Sequence, residues 1–162
     1  MTIKNIVEED FVNYKVPSMF IATCYCDWKC CTERGLGIDI CQNSPISVQP
    51  NISIEDKEIF KRYISNPITR AVVVGGLEPL MQQKELVDLI KEFRDNGCND
   101  MFVIYTGYEI DETPMKEIIP TLKQLGNVIV KVGRYIPNDT PHFDAVLGVN
   151  LASNNQRGVI IN

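Results

Sequence analysis

The sequence predicts an α/β fold with a mostly parallel sheet and a cysteine-rich loop after its first core strand. Three observations carry this expectation. Short apolar runs at Ser18–Thr23, Ala71–Val74, Met101–Tyr105 and Val128–Val132 read as buried strands. Amphipathic stretches with helix punctuation lie between them, and strand–helix alternation with short connections makes parallel crossovers. Five of the six cysteines (Cys24, Cys26, Cys30, Cys31 and Cys41) fall just after the first run begins to end. At 162 residues with 44% apolar content, the chain reads as one domain over 1–162 with an ordinary core.

Taken in order, residues 1–16 are polar with scattered aromatics and suit a lead-in strand or an arm. Ser18–Thr23 feeds the cysteine loop, which runs to about Pro50 through Gly35, Gly37 and Pro45 with no helical period. Loops beyond about 12–15 residues are uncommon unless functional. Ser53-Ile-Glu-Asp56 fits a capping box, with Asp in place of Glu or Gln, and sets a helix N-cap at Ser53. Ile54, Ile59, Phe60, Tyr63 and Ile64 give that helix an apolar face. Ala71–Val74 ends at Gly75-Gly76, a tight turn. Gln82–Asn96 is the clearest helix, with Leu86, Leu89, Ile90 and Phe93 on one side and Gly97 at the position after the C-cap. After the strand at Met101–Tyr105, Thr113-Pro114 pairs an N-cap with proline at the first helical position, and Gly126 closes the helix. Pro120 inside it predicts a kink or two short pieces. Val128–Val132 is the last core strand. An irregular stretch follows through Pro137 and Pro141, then a final short strand at Gly158–Ile161.

In parallel sheets of this kind, ligands bind at the C-terminal ends of the strands. The cysteine loop, Gly75-Gly76, the Tyr105–Tyr108 turn and Gly133-Arg134 all follow strands, so they are expected to crowd one rim. The net charge of −5 offers no basic patch for nucleic acid. No apolar run approaches the roughly 20 residues that span a bilayer. The opening residues MTIKNIVEEDF are acidic where a secretory leader is apolar. A cytoplasmic location follows as the expectation, and there clustered cysteines read as metal-binding or catalytic rather than disulfide-bonded. Zinc knuckles use C-x2-C pairs, and none occurs here. Structural zinc, plain buried thiols and an iron–sulfur cluster all remain open on spacing alone.

Cys26-Asp-Trp-Lys-Cys30 resembles the C-x3-C opening of radical S-adenosylmethionine enzymes. In that superfamily three thiolates hold a [4Fe–4S] cluster whose fourth iron chelates S-adenosylmethionine. Three positions beyond Cys30, where the family carries its third cysteine, this chain has Glu33. Cys41-Gln-Asn-Ser-Pro45 is similar to the sequence around that third cysteine in activases of glycyl-radical enzymes. This gives C-x3-C-x10-C, with Cys31–Asp39 as an inserted segment. Val72–Leu80 resembles the family strand with its GGEP turn, here with Leu77 inserted. Ile104–Tyr108, Lys131–Arg134 and Leu151–Arg157 are similar to later landmarks of the activating proteins of anaerobic (class III) ribonucleotide reductase. The resemblance runs from about Met19 to the C-terminus.

It implies a short, incomplete (βα) partial barrel that cleaves S-adenosylmethionine reductively and makes a glycyl radical on a large partner subunit. The implied metal ligands are Cys26, Cys30 and Cys41, with Cys31 for Cys30 as the rival register. Gly75, Gly76 and Glu78 form the implied cofactor turn, Asn43 and Arg134 touch the cofactor or the groups that hold it, and Trp28 shields the cluster. Cys24, Cys98 and the single histidine, His142, take no role. An electron donor such as flavodoxin or ferredoxin is implied; nucleic acid and membrane are not. Other readings are an activase for a different glycyl-radical enzyme, a radical enzyme acting on a small molecule, or a non-catalytic zinc or iron–sulfur binding or electron-transfer module. The GGLEP turn separates the last from the rest, because an electron carrier needs no cofactor-binding glycines.

Overall fold

The computed structural model describes residues 1–162. Strand β1 (Thr2–Asp10) leads into β2 (Ser18–Thr23). The cysteine-rich segment holds only short helical pieces: α1 (Lys29–Thr32), a 3-10 turn at Ile38–Ile40, and α2 (Ser44–Ser47). Then come β3 (Ile52–Ser53), α3 (Asp56–Ser65) and β4 (Ala71–Gly75). A 3-10 turn at Pro79–Gln82 precedes α4 (Gln83–Asp95), β5 (Met101–Tyr105), α5 (Thr113–Leu125) and β6 (Val128–Val132). The chain finishes with β7 (His142–Asp144), β8 (Val149–Leu151) and β9 (Arg157–Ile161).

Strands β2, β4, β5 and β6 lie side by side in sequence order, all parallel. β1 and β9 flank them antiparallel, and β3 pairs with β1, giving the order β3-β1-β2-β4-β5-β6-β9. The sheet is therefore mostly parallel and stays open. β7 and β8 form a separate hairpin.

Alternation along each strand sends residues to two faces. Val72, Val74, Phe102, Ile104, Val128 and Val130 pack with Ile59 and Tyr63 of α3, Leu86, Leu89 and Phe93 of α4, and Met115 and Leu122 of α5. Phe93 is the hub, its ring 5.1, 5.2 and 5.0 Å from those of Phe60, Tyr63 and Phe102. Ala71, Val73, Val103 and Ile129 face the other way, against Tyr14, Leu147 and Leu151. All three long helices thus cover one face. The opposite face is closed by the β1–β2 connection and the hairpin, joined where the Lys15 N–H donates to Leu147 O at 2.8 Å.

Several local expectations need correction. Ser53 does not cap α3; it pairs with Thr2 in the sheet, and the helix starts at Asp56 with Glu55 as N-cap. Backbone pairing with β1 outcompetes the capping box, and Asp56 and Glu58 in the first turn suit the helix dipole instead. Gln82 belongs to the 3-10 turn rather than to α4. Its far end is as expected: the N–H groups of Gly97 and Cys98 bond Arg94 O and Phe93 O, with Gly97 at φ +79°. In α5, Glu112 rather than Thr113 is the N-cap, and the helix runs through Pro120 unbroken. Pro120 and Lys116 are both exposed, so the carbonyl freed of its i+4 donor faces water. The β7–β8 hairpin occupies the stretch that showed no pattern in sequence.

Candidate functional site

Because the four central strands are parallel, their C-terminal ends deliver four connections to one rim: the cysteine loop, Gly76–Glu78, Thr106–Tyr108 and Gly133–Arg134. Between them lies a cavity of about 460 Å³ whose lining includes Cys26, Cys30, Cys41, Gly76, Glu78 and Lys131. The cysteine loop has almost no regular structure and is held by its neighbours. Lys4, buried on β1, donates to Ser47 O at 2.9 Å and to Gln49 O. The Cys24 N–H donates to Gln82 Oε1 at 2.7 Å.

Cys26, Cys30 and Cys41 share the cavity wall, half-buried. Cys24 and Cys31 are buried and do not line it, and Cys98 lies beyond the end of α4. The Ser44 N–H donates to Cys41 O at 3.0 Å. Interaction with Cys30 pulls the Cys41 thiol below the ordinary range, and interaction with Cys41 together with burial pushes Cys30 above it. Burial pushes Cys26 up to about 12, against a hydrogen bond from the Trp28 N–H at 3.3 Å. No three His, Cys, Asp or Glu side chains converge as they would around one metal ion. Three soft sulfur donors set around a shared space are instead the donor set for an iron–sulfur cluster.

Gly75 ends β4, where a Cβ would come 3.1 Å from Tyr105 Cβ. Gly76 has φ +83°, and a Cβ there would meet Ala22 Cβ at 3.0 Å and Ala22 Cα at 3.1 Å. Only glycine lets this turn lie so close to β2. Glu78 is buried, and its carboxylate accepts the Leu80 N–H at 3.0 Å, the Thr106 hydroxyl at 2.7 Å and the Gly107 N–H at 2.8 Å. Burial raises its pKa against those three donors. The side chain is thus a bolt between the β4 and β5 turns. Asn43 lines the cavity. Arg134 instead lines a small adjoining cavity together with Cys26, Cys30 and Glu78, its guanidinium gripping Glu112 with two 2.7 Å bonds and Glu33 with one of 3.1 Å. Glu33 belongs to the inserted segment, so Arg134 ties that segment to the rim. Trp28 is absent from the cavity lining.

Three contributors escaped the sequence reading. Lys131 is buried on the cavity wall, its Nζ donating to Gly133 O at 2.9 Å, and desolvation lowers it to about 8. Its signal was a lone charge inside the apolar strand VIVKV. Thr106 and Tyr108 lie in a turn already placed at the rim, but their bonds to Glu78 and, at 2.5 Å, to Asp27 join residues far apart in the chain and left no local signal.

No helix is long and apolar enough to cross a membrane. Neither curated proteins nor solved structures gave a match to the chain. A family model described as a 4Fe-4S single cluster domain matches residues 16–156, most of the chain, which therefore belongs to that family.

Proposed function

We propose that this 4Fe–4S cluster domain is a radical S-adenosylmethionine enzyme that activates a glycyl-radical partner, the large subunit of anaerobic ribonucleotide reductase. The observation that carries the reading is the shared cavity: Cys26, Cys30 and Cys41 line the same space as Gly76 and the turn bolted by Glu78. On this reading the three thiolates hold the cluster, which makes Cys30 rather than Cys31 the second ligand. The cluster, when bound and reduced, supplies one electron that cleaves S-adenosylmethionine to methionine and a 5′-deoxyadenosyl radical, the group that abstracts the glycine Cα hydrogen.

The chain's own residues bind and orient. Gly75 and Gly76 would bring backbone close to the cofactor amino group, Glu78 keeps that turn fixed, and Asn43 lines the cavity with Cys41. Arg134, which shares a small cavity with Cys26 and Cys30, is held in place by Glu33 and Glu112. Cluster loading removes the thiol protons of Cys26, Cys30 and Cys41, so occupancy rises with pH. The in-order parallel strands with helices on one face favour reading the open sheet as an incomplete (βα) barrel, whose open side admits a peptide loop. Cytoplasmic location and a flavodoxin or ferredoxin donor belong to the same proposal.

The test is anaerobic reconstitution with iron and sulfide, reduction, and assay of S-adenosylmethionine cleavage. A [4Fe–4S] signal with 5′-deoxyadenosine is expected, followed by a glycyl-radical signal once the partner is added. A cluster without cleavage leaves an electron-transfer module and overturns the proposal.

A further inference from the structure

The Tyr108 hydroxyl sits where the cysteine loop meets the rim. The residue is 5% exposed, and its Oη donates to Asp27 Oδ2 at 2.5 Å. The other oxygen, Asp27 Oδ1, accepts the Lys29 N–H at 3.2 Å and closes the turn into α1. Lys29 Nζ lies 3.6 Å from Asp27 Oδ2 and 4.7 Å from the Tyr108 ring centroid. Tyr108 is itself anchored: its N–H donates to Thr106 Oγ1 at 3.1 Å, and its carbonyl accepts the Gly133 N–H at 3.1 Å.

Within the fastened turn Trp28 has φ +59°, a left-handed conformation that a bulky residue keeps only when its surroundings hold it there. The Asp27–Trp28 peptide of that turn places the Trp28 N–H 3.3 Å from Cys26 Sγ. We propose that Tyr108, acting through Asp27, is a positioning residue that holds this N–H on the Cys26 sulfur and so sets the reduction potential of the cluster. The inference rests on Cys26 being a cluster ligand, as proposed above. Added electron density on a reduced cluster strengthens N–H···S bonds, so each such bond raises the potential. Tyr108→Phe keeps the ring and removes the fastening. Trp28 relaxes, the bond to sulfur weakens, and the potential falls. Weakening one hydrogen bond to a charged acceptor corresponds to about tenfold in the reduction equilibrium, or about 59 mV for one electron.

The experiment is a potentiometric titration of the reconstituted protein, followed by electron paramagnetic resonance, with iron content measured on each sample. Tyr108→Phe is expected to retain its iron and titrate at lower potential, by about the tenfold shift. Pulsed resonance after exchange into D2O reads the same bond as the coupling of an exchangeable deuteron, which is expected to shrink in the variant. Asp27→Asn keeps an oxygen for the Tyr108 hydroxyl and removes a negative charge, so its potential is expected to stay level or rise. An unchanged potential in Tyr108→Phe overturns the inference, as does a fall in Asp27→Asn equal to that in Tyr108→Phe. Either result leaves the proposed function standing. A wild-type protein that takes up no cluster overturns both.

Discussion

Lys131→Met is expected to stabilise the cluster-free protein at neutral pH, and the gain is expected to reverse in alkali. The ammonium group is buried on the cavity wall, and desolvation lowers its pKa from the ordinary 10.5 to about 8. At roughly 1.4 kcal/mol per pH unit, that fall costs about 3 kcal/mol while the group is charged. Removing it also removes the 2.9 Å bond to Gly133 O, worth about 1 kcal/mol. Gln156 Nε2, 3.4 Å from the same carbonyl, covers part of that loss. A net gain of roughly 1–2 kcal/mol is expected near neutral pH. The sign with pH follows from proton counts. Between about 8 and 10.5 the unfolded chain still holds the lysine proton and the folded chain has released it. Wild-type stability therefore climbs through that window, and the variant lacks this contribution. Urea unfolding of both proteins, reduced and cluster-free, measures the difference. Thiols and tyrosines titrate in both chains, so they largely cancel. A difference that stays constant from neutral pH to about 10.5 would refute the argument.

Single Cys→Ala substitutions at 26, 30 or 41 are expected to cut bound iron to a small fraction of the wild-type amount, while those at 24, 31 and 98 keep most of it. Iron loss on Cys31→Ala with retention on Cys30→Ala would move the ligand set one residue along. Gly76→Ala combines left-handed strain of about 1–2 kcal/mol with a 3.0 Å contact on Ala22, whereas Gly35→Ala, at φ +64° with nothing within 4 Å, suffers only the strain. Thermal melts should show the larger loss at Gly76, and equal losses would contradict the close packing of that turn on β2. Hydrogen bonds from Arg134 hold Glu112 down at about 2, so its contribution is complete above the ordinary 4.5 and disappears as pH falls towards about 2. Glu112→Gln is expected to cost about 0.5–1 kcal/mol at neutral pH after solvent screening, and nothing at the acid end. Chemical denaturation across that range checks it.

The central strands were legible almost to the residue because a strand buried on both faces is apolar along nearly its whole length, as AVVV is throughout and VIVKV is apart from Lys131. Element ends were less legible wherever a distant strand competed with a local signal. Ser53 has the residue type and spacing of a cap, but Thr2, on the first strand, claims its backbone. The three-residue strands β7 and β8 are too short to show a period. Within the site, Cys26, Cys30, Cys41 and Gly76 stood out because thiols and paired glycines are uncommon residues in marked positions. Arg134 also stood out, but its pairing with Glu33 and Glu112 depends on how the inserted segment folds back, and that cannot be read from residue type.

The parallel order explains why such cross-chain contacts decide the site. Each strand delivers one irregular turn to the rim, and each turn is fastened to its neighbour. The Glu78 N–H donates to Tyr25 O at 2.7 Å, joining the β4 turn to the cysteine loop. The Gly107 N–H reaches Glu78 at 2.8 Å, the Gly133 N–H reaches Tyr108 O at 3.1 Å, and Asn155 Nδ2 reaches Arg134 O at 2.9 Å. Asp27 closes the circuit by accepting from Tyr108. A loop with so little regular structure could not hold three thiols in fixed positions from its own hydrogen bonds. It borrows rigidity from the β5 turn, which itself carries no cysteine. Substitutions at Thr106 or Tyr108 should therefore disturb the metal site more than equally conservative changes in the exposed run Thr32–Ile40, although that run lies between two of the cysteines.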